Sequence, residues 1–111
     1  MALPKKNRLT SKKDIDHVFK RGRTVKGSFL FIKRLDNPKG YSRFAFVVSS
    51  KYVSLAVDRN RIKRMFSEKV RRTPALLEHG YDMVVVIHKK VEREQFKELG
   101  EELREILFKL T

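Results

Sequence analysis

The side chains best suited to chemistry lie in one run, Ala56-Val57-Asp58-Arg59-Asn60-Arg61-Ile62-Lys63-Arg64-Met65-Phe66-Ser67-Glu68-Lys69-Val70-Arg71-Arg72. At 100° per residue, Ile62, Met65, Phe66 and Val70 fall on one stripe that can pack on a sheet. Asn60, Arg64, Ser67 and Arg71 form the opposite ridge at i, i+4, i+7 and i+11, with Lys63 and Arg61 on its two flanks. Phosphate recognition needs forked donors and fixed charge at about helical-turn spacing, and this ridge supplies both. Asn60 suits a base edge, a 2′-hydroxyl or a phosphate, or simply the helix cap. Over residues 58–72 only Asp58 and Glu68 stand against seven cations. That imbalance points to a face that binds a polyanion rather than a merely solvated one.

No protein catalytic constellation accompanies it. The candidate bases His17, His79 and His88 are isolated in sequence, and each is expected to be a surface or structural histidine. His17 is expected on the outer face of the first helix. His88, at the end of a strand, is placed for a ligand contact rather than for catalysis. There is no carboxylate pair near a histidine, no phosphate-cradling glycine loop and no plausible metal cage. Cysteine is absent, which removes disulfides, thiolate zinc sites and a cysteine nucleophile.

The chain has 111 residues, 27 Lys and Arg against 13 Asp and Glu, and a formal charge of +14; its pI is near 10.4. One domain, residues 1–111, is expected at this length. Hydrophobic residues make up 41%, enough for a packed core. The charge is uneven: net +7 over residues 1–26, +4 over 27–57, +5 over 58–72, zero over 73–90 and −2 over 91–111. Such asymmetry suggests a binding face more than general solubility. No apolar run approaches the roughly 18–20 residues that cross a bilayer. Met1 to Lys6 lead into more charge rather than an apolar signal core. A soluble cytoplasmic domain with a polyanionic partner and no membrane association is expected.

Periodicity supplies the elements that must position the cationic run. Residues 1–10 read as a basic arm, mobile at its start. A first helix runs from about Lys12 to Lys20, with Ser11 as cap, Asp14 three residues on, and Gly22 placed to end it in a left-handed conformation. Its Ile15, Val18 and Phe19 share one face. Ser28 to Leu35 reads as a strand. Asp36-Asn37-Pro38-Lys39-Gly40 reads as a turn, and Ser42 to Ser49 as the second strand of a hairpin. Phe44, Phe46 and Val48 share one face of it, Ala45 and Val47 the other. Tyr81 to Ile87 is a largely buried third strand. Helices are expected at about Asp58 to Arg71 and Glu94 to Leu110. The order α-β-β-α-β-α fits an α+β fold, a sheet of three or four strands with helices mainly on one face. The other face is then partly open, with Phe29 and Phe31 either on it or in the core.

The motif Ala56-Val57-x-Arg59-Asn60-Arg61-x-Lys63-Arg64, with Glu68 beyond it, resembles the RNR motif of the protein subunit of bacterial ribonuclease P. Lys12-Lys13-Asp14-Ile15-x-x-Val18-Phe19-x-x-Gly22-Arg23 resembles that family's first helix, and Tyr81-Asp82-Met83-Val84-Val85-Val86-Ile87 its strand before a closing helix. The resemblance spans essentially the whole chain.

It implies a ribosomal protein S5 domain 2-like fold with a left-handed crossover through the RNR helix, against the usual right-handed rule. It implies a protein cofactor for a catalytic RNA, an endoribonuclease that removes the 5′ leader from precursor tRNA, with Mg²⁺ bound mainly by the RNA. Arg59, Asn60, Arg61, Lys63 and Arg64 would contact ribonuclease P RNA. A cleft between the first helix and the sheet would hold the single-stranded leader, bordered by Ile15, Phe19, Ser50, Lys51 and Lys89. No catalytic or metal-binding residue is implied in the protein. The chain departs from the pattern at Ser67, where an Arg is usual, at Ser54, where a Gly is expected, and at Ile15, where a second Phe is usual. The alternative classes are a ribosomal or general structured-RNA-binding protein and a nuclease acting alone. At +14, the free protein is also expected to bind anions such as sulfate or phosphate.

Overall fold

Seven residues, Tyr81–Ile87, form the strand around which the fold is assembled. The computed structural model describes residues 3–110. In chain order it contains α1 (Lys12–Arg21), β1 (Arg23–Lys26), β2 (Leu30–Asp36), β3 (Arg43–Val47), α2 (Ala56–Arg71), the one-turn α3 (Pro74–Leu77), β4 (Tyr81–Ile87) and α4 (Phe96–Leu110). The sheet order is β1-β2-β4-β3. β4 is central and near-continuously apolar, as a strand covered on both faces must be.

The expected β2–β3 hairpin is not formed. β4 lies between those strands, antiparallel to β2 and parallel to β3. The hairpin partner of β2 is β1, with Arg23 opposite Arg34 and Lys26 opposite Phe31. β1 is short and polar, so period-two hydrophobicity does not reveal it. β3 and β4 pair in parallel, which requires a long crossover; α2 and α3 provide it.

Two apolar layers flank the sheet. Leu30, Ile32, Phe44, Phe46, Met83, Val85 and Ile87 meet Ile62, Phe66 and Val70 of α2 and Leu99, Leu103 and Leu107 of α4. Phe44 and Phe66 are almost wholly buried, each contributing about 1.5–3 kcal/mol. On the other face, Val18 and Ile15 of α1 pack on Ala45 and Val84, with Leu9, Leu35 and Val86. Phe29 and Phe31 part company. Phe29 precedes β2 and turns into the first layer, whereas Phe31 alternates with Leu30 and Ile32 onto the α1 face.

Ser11 Oγ accepts from the Asp14 amide as the cap of α1. Gly22 does not adopt the left-handed conformation expected of it; its φ is −74°. Glycine is needed there for room: a Cβ would lie 2.5 Å from the Val18 carbonyl oxygen and 3.0 Å from that of Arg34. Of the expected basic arm, residues 3–9 lie on the fold. Leu3, Asn7 and Leu9 are buried, the Asn7 amide donates to the Ser42 carbonyl, and Arg8 bridges to Phe44. Met1 and Ala2 lie outside the described residues.

Candidate nucleic-acid interface

α2 turns its apolar stripe inward and its cations outward. Asn60, Arg61 and Arg64 are exposed and Lys63 is half-buried. Among the described residues none of these four side chains makes an ion pair or hydrogen bond. Both acids of the run are occupied: Asp58 by Arg93 at 3.1 Å and Glu68 by Arg71 at 2.8 Å. The Arg71 hydrogen bond holds the Glu68 carboxyl below its ordinary value, with the charges of Arg71 and Arg72 acting the same way. Arg59 is held differently. Its Nη1 donates to the carbonyls of Val53 and Ser54, both at 2.9 Å, and so ties the entering loop to the helix.

Ser67 departs from the expected ridge. It is fully buried, and its Oγ donates to the Lys63 carbonyl at 2.9 Å. Serine can settle on the buried side because its hydroxyl is satisfied by the i−4 carbonyl. The outward line is therefore Val57, Asn60, Arg61, Arg64, Glu68 and Arg71.

On the opposite face of the sheet, α1 covers only part of the surface. It is pinned at one end by Arg43, whose Nη2 donates to Asp82 at 2.7 Å and whose Nη1 reaches Asp14 of α1 at 3.3 Å. Asn37 also donates to Asp82. The hydrogen bond to Asp82, opposed by desolvation and aided by the charges of Asp82 and Asp14, raises the Arg43 pKa. Sequence periodicity carries no trace of this clamp, because its members come from four separate segments.

Beyond the clamp, the row Lys26–Phe31–Val86–Val47 crosses the sheet in register. Phe19 borders it, 36% exposed, its ring edge-on to Phe31 at 6.5 Å. His88 closes the aromatic series, 5.9 Å from Phe31. Ile15 is half-buried under α1 as part of the packing. Ser50 and Lys51 follow β3 and Lys89 follows β4, so the parallel strands bring them to one end of the sheet. The Lys51 ammonium rests over Tyr52, and that of Lys89 over Phe29 on the α2 side. His17 is exposed on α1, and His79 stacks on Tyr81. The sequence left Phe31 between the open face and the core and marked His88 as a strand-end histidine; the register joins both to Phe19.

Among the described residues no group of three or more His, Cys, Asp or Glu side chains is arranged to hold a metal ion, and no helix is long and apolar enough to cross a membrane.

A half-covered sheet backed by a helix whose Arg61, Lys63 and Arg64 have no partner among the described residues defines a small basic α+β protein of the nucleic-acid-binding kind. Residues 3–111 match the family Ribonuclease P. A ribonuclease P protein component from Pseudanabaena sp. is 36% identical over 108 residues, covering 96% of this chain and 93% of that one. One from Dehalococcoides mccartyi is 36% identical over 103 residues, covering 93% and 83%. The ribonuclease P protein from Thermotoga maritima superposes with a TM-score of 0.71 at 28% identity over 93% of each chain. That from Staphylococcus aureus shares the fold with a TM-score of 0.82 at 21% identity over 95% of each. The chain belongs to the ribonuclease P protein family. It is the protein subunit of an RNA-based endoribonuclease that removes the 5′ leader from precursor tRNA.

Proposed function

We propose that the chain acts as one RNA-binding domain, residues 1–111, whose α2 face docks on ribonuclease P RNA through Arg59, Asn60, Arg61, Lys63 and Arg64. The observation that carries this is the state of the two acids on α2. Asp58 is taken by Arg93 and Glu68 by Arg71, so Arg61, Lys63 and Arg64 keep their charge for a partner. Arg59 spends one nitrogen on the loop carbonyls and keeps further donors on the same fork. About six phosphate contacts would make binding fall by orders of magnitude between low and high salt.

The partly covered sheet takes the single-stranded leader. Phe19 offers a stacking face, Ile15 holds α1 at the right height, and Ser50, Lys51 and Lys89 follow the strands at the end of the path, Lys89 with its ammonium over Phe29 on the α2 side. This favours precursor over product tRNA by differential binding of substrate, without chemistry from the protein. Phosphodiester hydrolysis belongs to the catalytic RNA with Mg²⁺ bound mainly by that RNA. In the free protein, sulfate or phosphate occupies the α2 face and raises the thermal midpoint.

Reconstitution tests the reading. Purified protein with the catalytic RNA and Mg²⁺ should cleave precursor tRNA, whereas protein alone should not; cleavage without RNA would indicate a protein nuclease. RNA binding with no effect on precursor cleavage would indicate a general RNA-binding protein. Phe19→Ala should weaken precursor binding about fivefold or more and leave mature tRNA binding unchanged, with the thermal midpoint checked alongside. Equal loss on both substrates would reject the leader cleft.

A further inference from the structure

We infer that Arg23 and Arg34, with Arg21 beside them, hold a backbone phosphate of RNA at the β1 edge of the sheet, a site separate from the α2 face and from the leader cleft. The register sets Arg23 directly opposite Arg34. Like charges so placed repel, which destabilises a strand pair. Period two puts both on one face with Val25 and Ile32, which pack into the layer of α2 and α4. Phe31 and the leader row lie on the other face.

No acid offsets the pair. Among the described residues the side chains of Arg21, Arg23 and Arg34 make no ion pair or hydrogen bond, whereas Arg43, Arg71 and Arg93 each meet a carboxylate. Arg21 stands in the last turn of α1, where the helix dipole favours a cation. Arg23 and Arg34 lack that compensation. Arg34 is held in place by an aromatic ring instead: its guanidinium carbon lies 4.7 Å from the centre of Tyr81, which stacks on the exposed His79 at 4.7 Å. Gly22 lets the end of α1 press on the hairpin, since a Cβ there would lie 3.0 Å from the Arg34 carbonyl oxygen. Arg21 is thereby brought beside the pair. The three side chains line a hollow of about 230 Å³ together with Leu35 and Asp36. Asp36 is exposed and forms no ion pair with any of them.

An anion in this hollow turns the repulsion into attraction. Guanidinium forks present paired donors that match phosphate oxygens. In the protein subunit of an RNA enzyme, that phosphate is a diester of an RNA backbone. The site also accounts for charge that the other two faces leave unused. Residues 1–26 carry net +7, the largest excess in the chain, and neither α2 nor the aromatic row draws on Arg21 or Arg23. β3 and β4 run in parallel towards Val47 and Ile87, beyond which Ser50, Lys51 and Lys89 lie. Arg34 pairs with Met83, about 13 Å back along β4, and Arg23 is on the strand farthest from β3. The hollow faces away from the leader row, so its phosphate belongs to another RNA segment, in the RNA subunit or in the tRNA body.

The test measures the salt dependence of two bindings: the protein to the RNA subunit, and leaderless tRNA to the reconstituted holoenzyme, with precursor tRNA alongside. Arg23→Gln should make one of the two log–log slopes shallower by about 0.9, and the slope that changes identifies the RNA that supplies the phosphate. Arg23→Lys keeps the charge without the fork and should retain the slope with weaker binding. Arg104→Gln, on the acidic α4, removes the same charge and should leave both slopes unchanged. Because Arg23→Gln relieves the cross-strand repulsion, the thermal midpoint of the free protein should hold or rise, by up to about 4 °C. Unchanged slopes in Arg23→Gln, with or without a fallen midpoint, overturn the site, as does an equal change in Arg104→Gln. A loss confined to tRNA that carries a leader also overturns it, because Arg23 then belongs to the leader path.

Discussion

Nε of Arg93 sits 3.2 and 3.1 Å from the two carboxylate oxygens of Asp58. Arg93 lies in the turn just before α4, and Asp58 in the first turn of α2, so the pair joins two elements remote in sequence. It also places a carboxylate at the α2 N-terminus, where the helix dipole favours it. Arg93→Ala should therefore lower stability. Arg93 is mostly exposed, so solvent limits the loss to about 0.5–1 kcal/mol, or about 2–5 °C in the thermal midpoint. Calorimetry of the two proteins checks this.

Arg43 is a different case, because the arginine itself is largely buried beside Asp82, whereas Arg93 is mostly exposed. Arg43→Ala leaves that carboxylate with Asn37 as its remaining side-chain donor. A loss of about 3–5 kcal/mol is expected, against under about 1 kcal/mol for Asp14→Ala at the exposed arm of the clamp. Urea unfolding should separate the two; equal losses would mean that Asp82 is not the dominant partner.

Arg64 projects from α2 without a partner among the described residues. Arg64→Ala should leave folding within about 0.5 kcal/mol and remove one phosphate contact. The log–log salt slope of RNA-subunit binding should then become shallower by about 0.9. Arg64→Glu should weaken assembly further by repulsion. An unchanged slope would place Arg64 outside the interface.

Glu68 restrains Arg71. Glu68→Gln should release that guanidinium and tighten RNA binding about twofold at low salt. The pH dependence follows from the lowered Glu68 pKa. A carboxyl with a folded pKa below its unfolded value contributes stability above the unfolded value, and that contribution is lost as pH falls through the folded one. The Glu68–Arg71 pair should therefore persist down to ordinary carboxylate pH and break below it. Carboxyl titration followed by NMR reads the midpoint directly.

Gly22→Ala would drive a methyl group into the carbonyls of Val18 and Arg34. A loss of about 1–3 kcal/mol is expected, visible as a lower urea midpoint. A neutral result would show that α1 can move away from β2 without penalty.

Local sequence determined which residues face inward along each long element. Val18 on α1, Ile62, Phe66 and Val70 on α2, Phe44, Phe46 and Val48 at β3, and the buried run of β4 all follow from periods of 3.6 and 2. The cationic run of α2 was legible for the same reason, since charge without matching acid is a local property. Tertiary structure decided the rest. Strand neighbours are set by which apolar faces close over a common core, so β4 entered between β2 and β3 while polar β1 took the edge. The width of the buried arc on α2 is set by what packs around it, and Ser67 falls inside that arc. The Arg43–Asp82–Asp14 clamp and the Phe19–Phe31–His88 series exist only where distant segments meet. Periodicity records the direction of a side chain, and contact between remote segments is decided by packing.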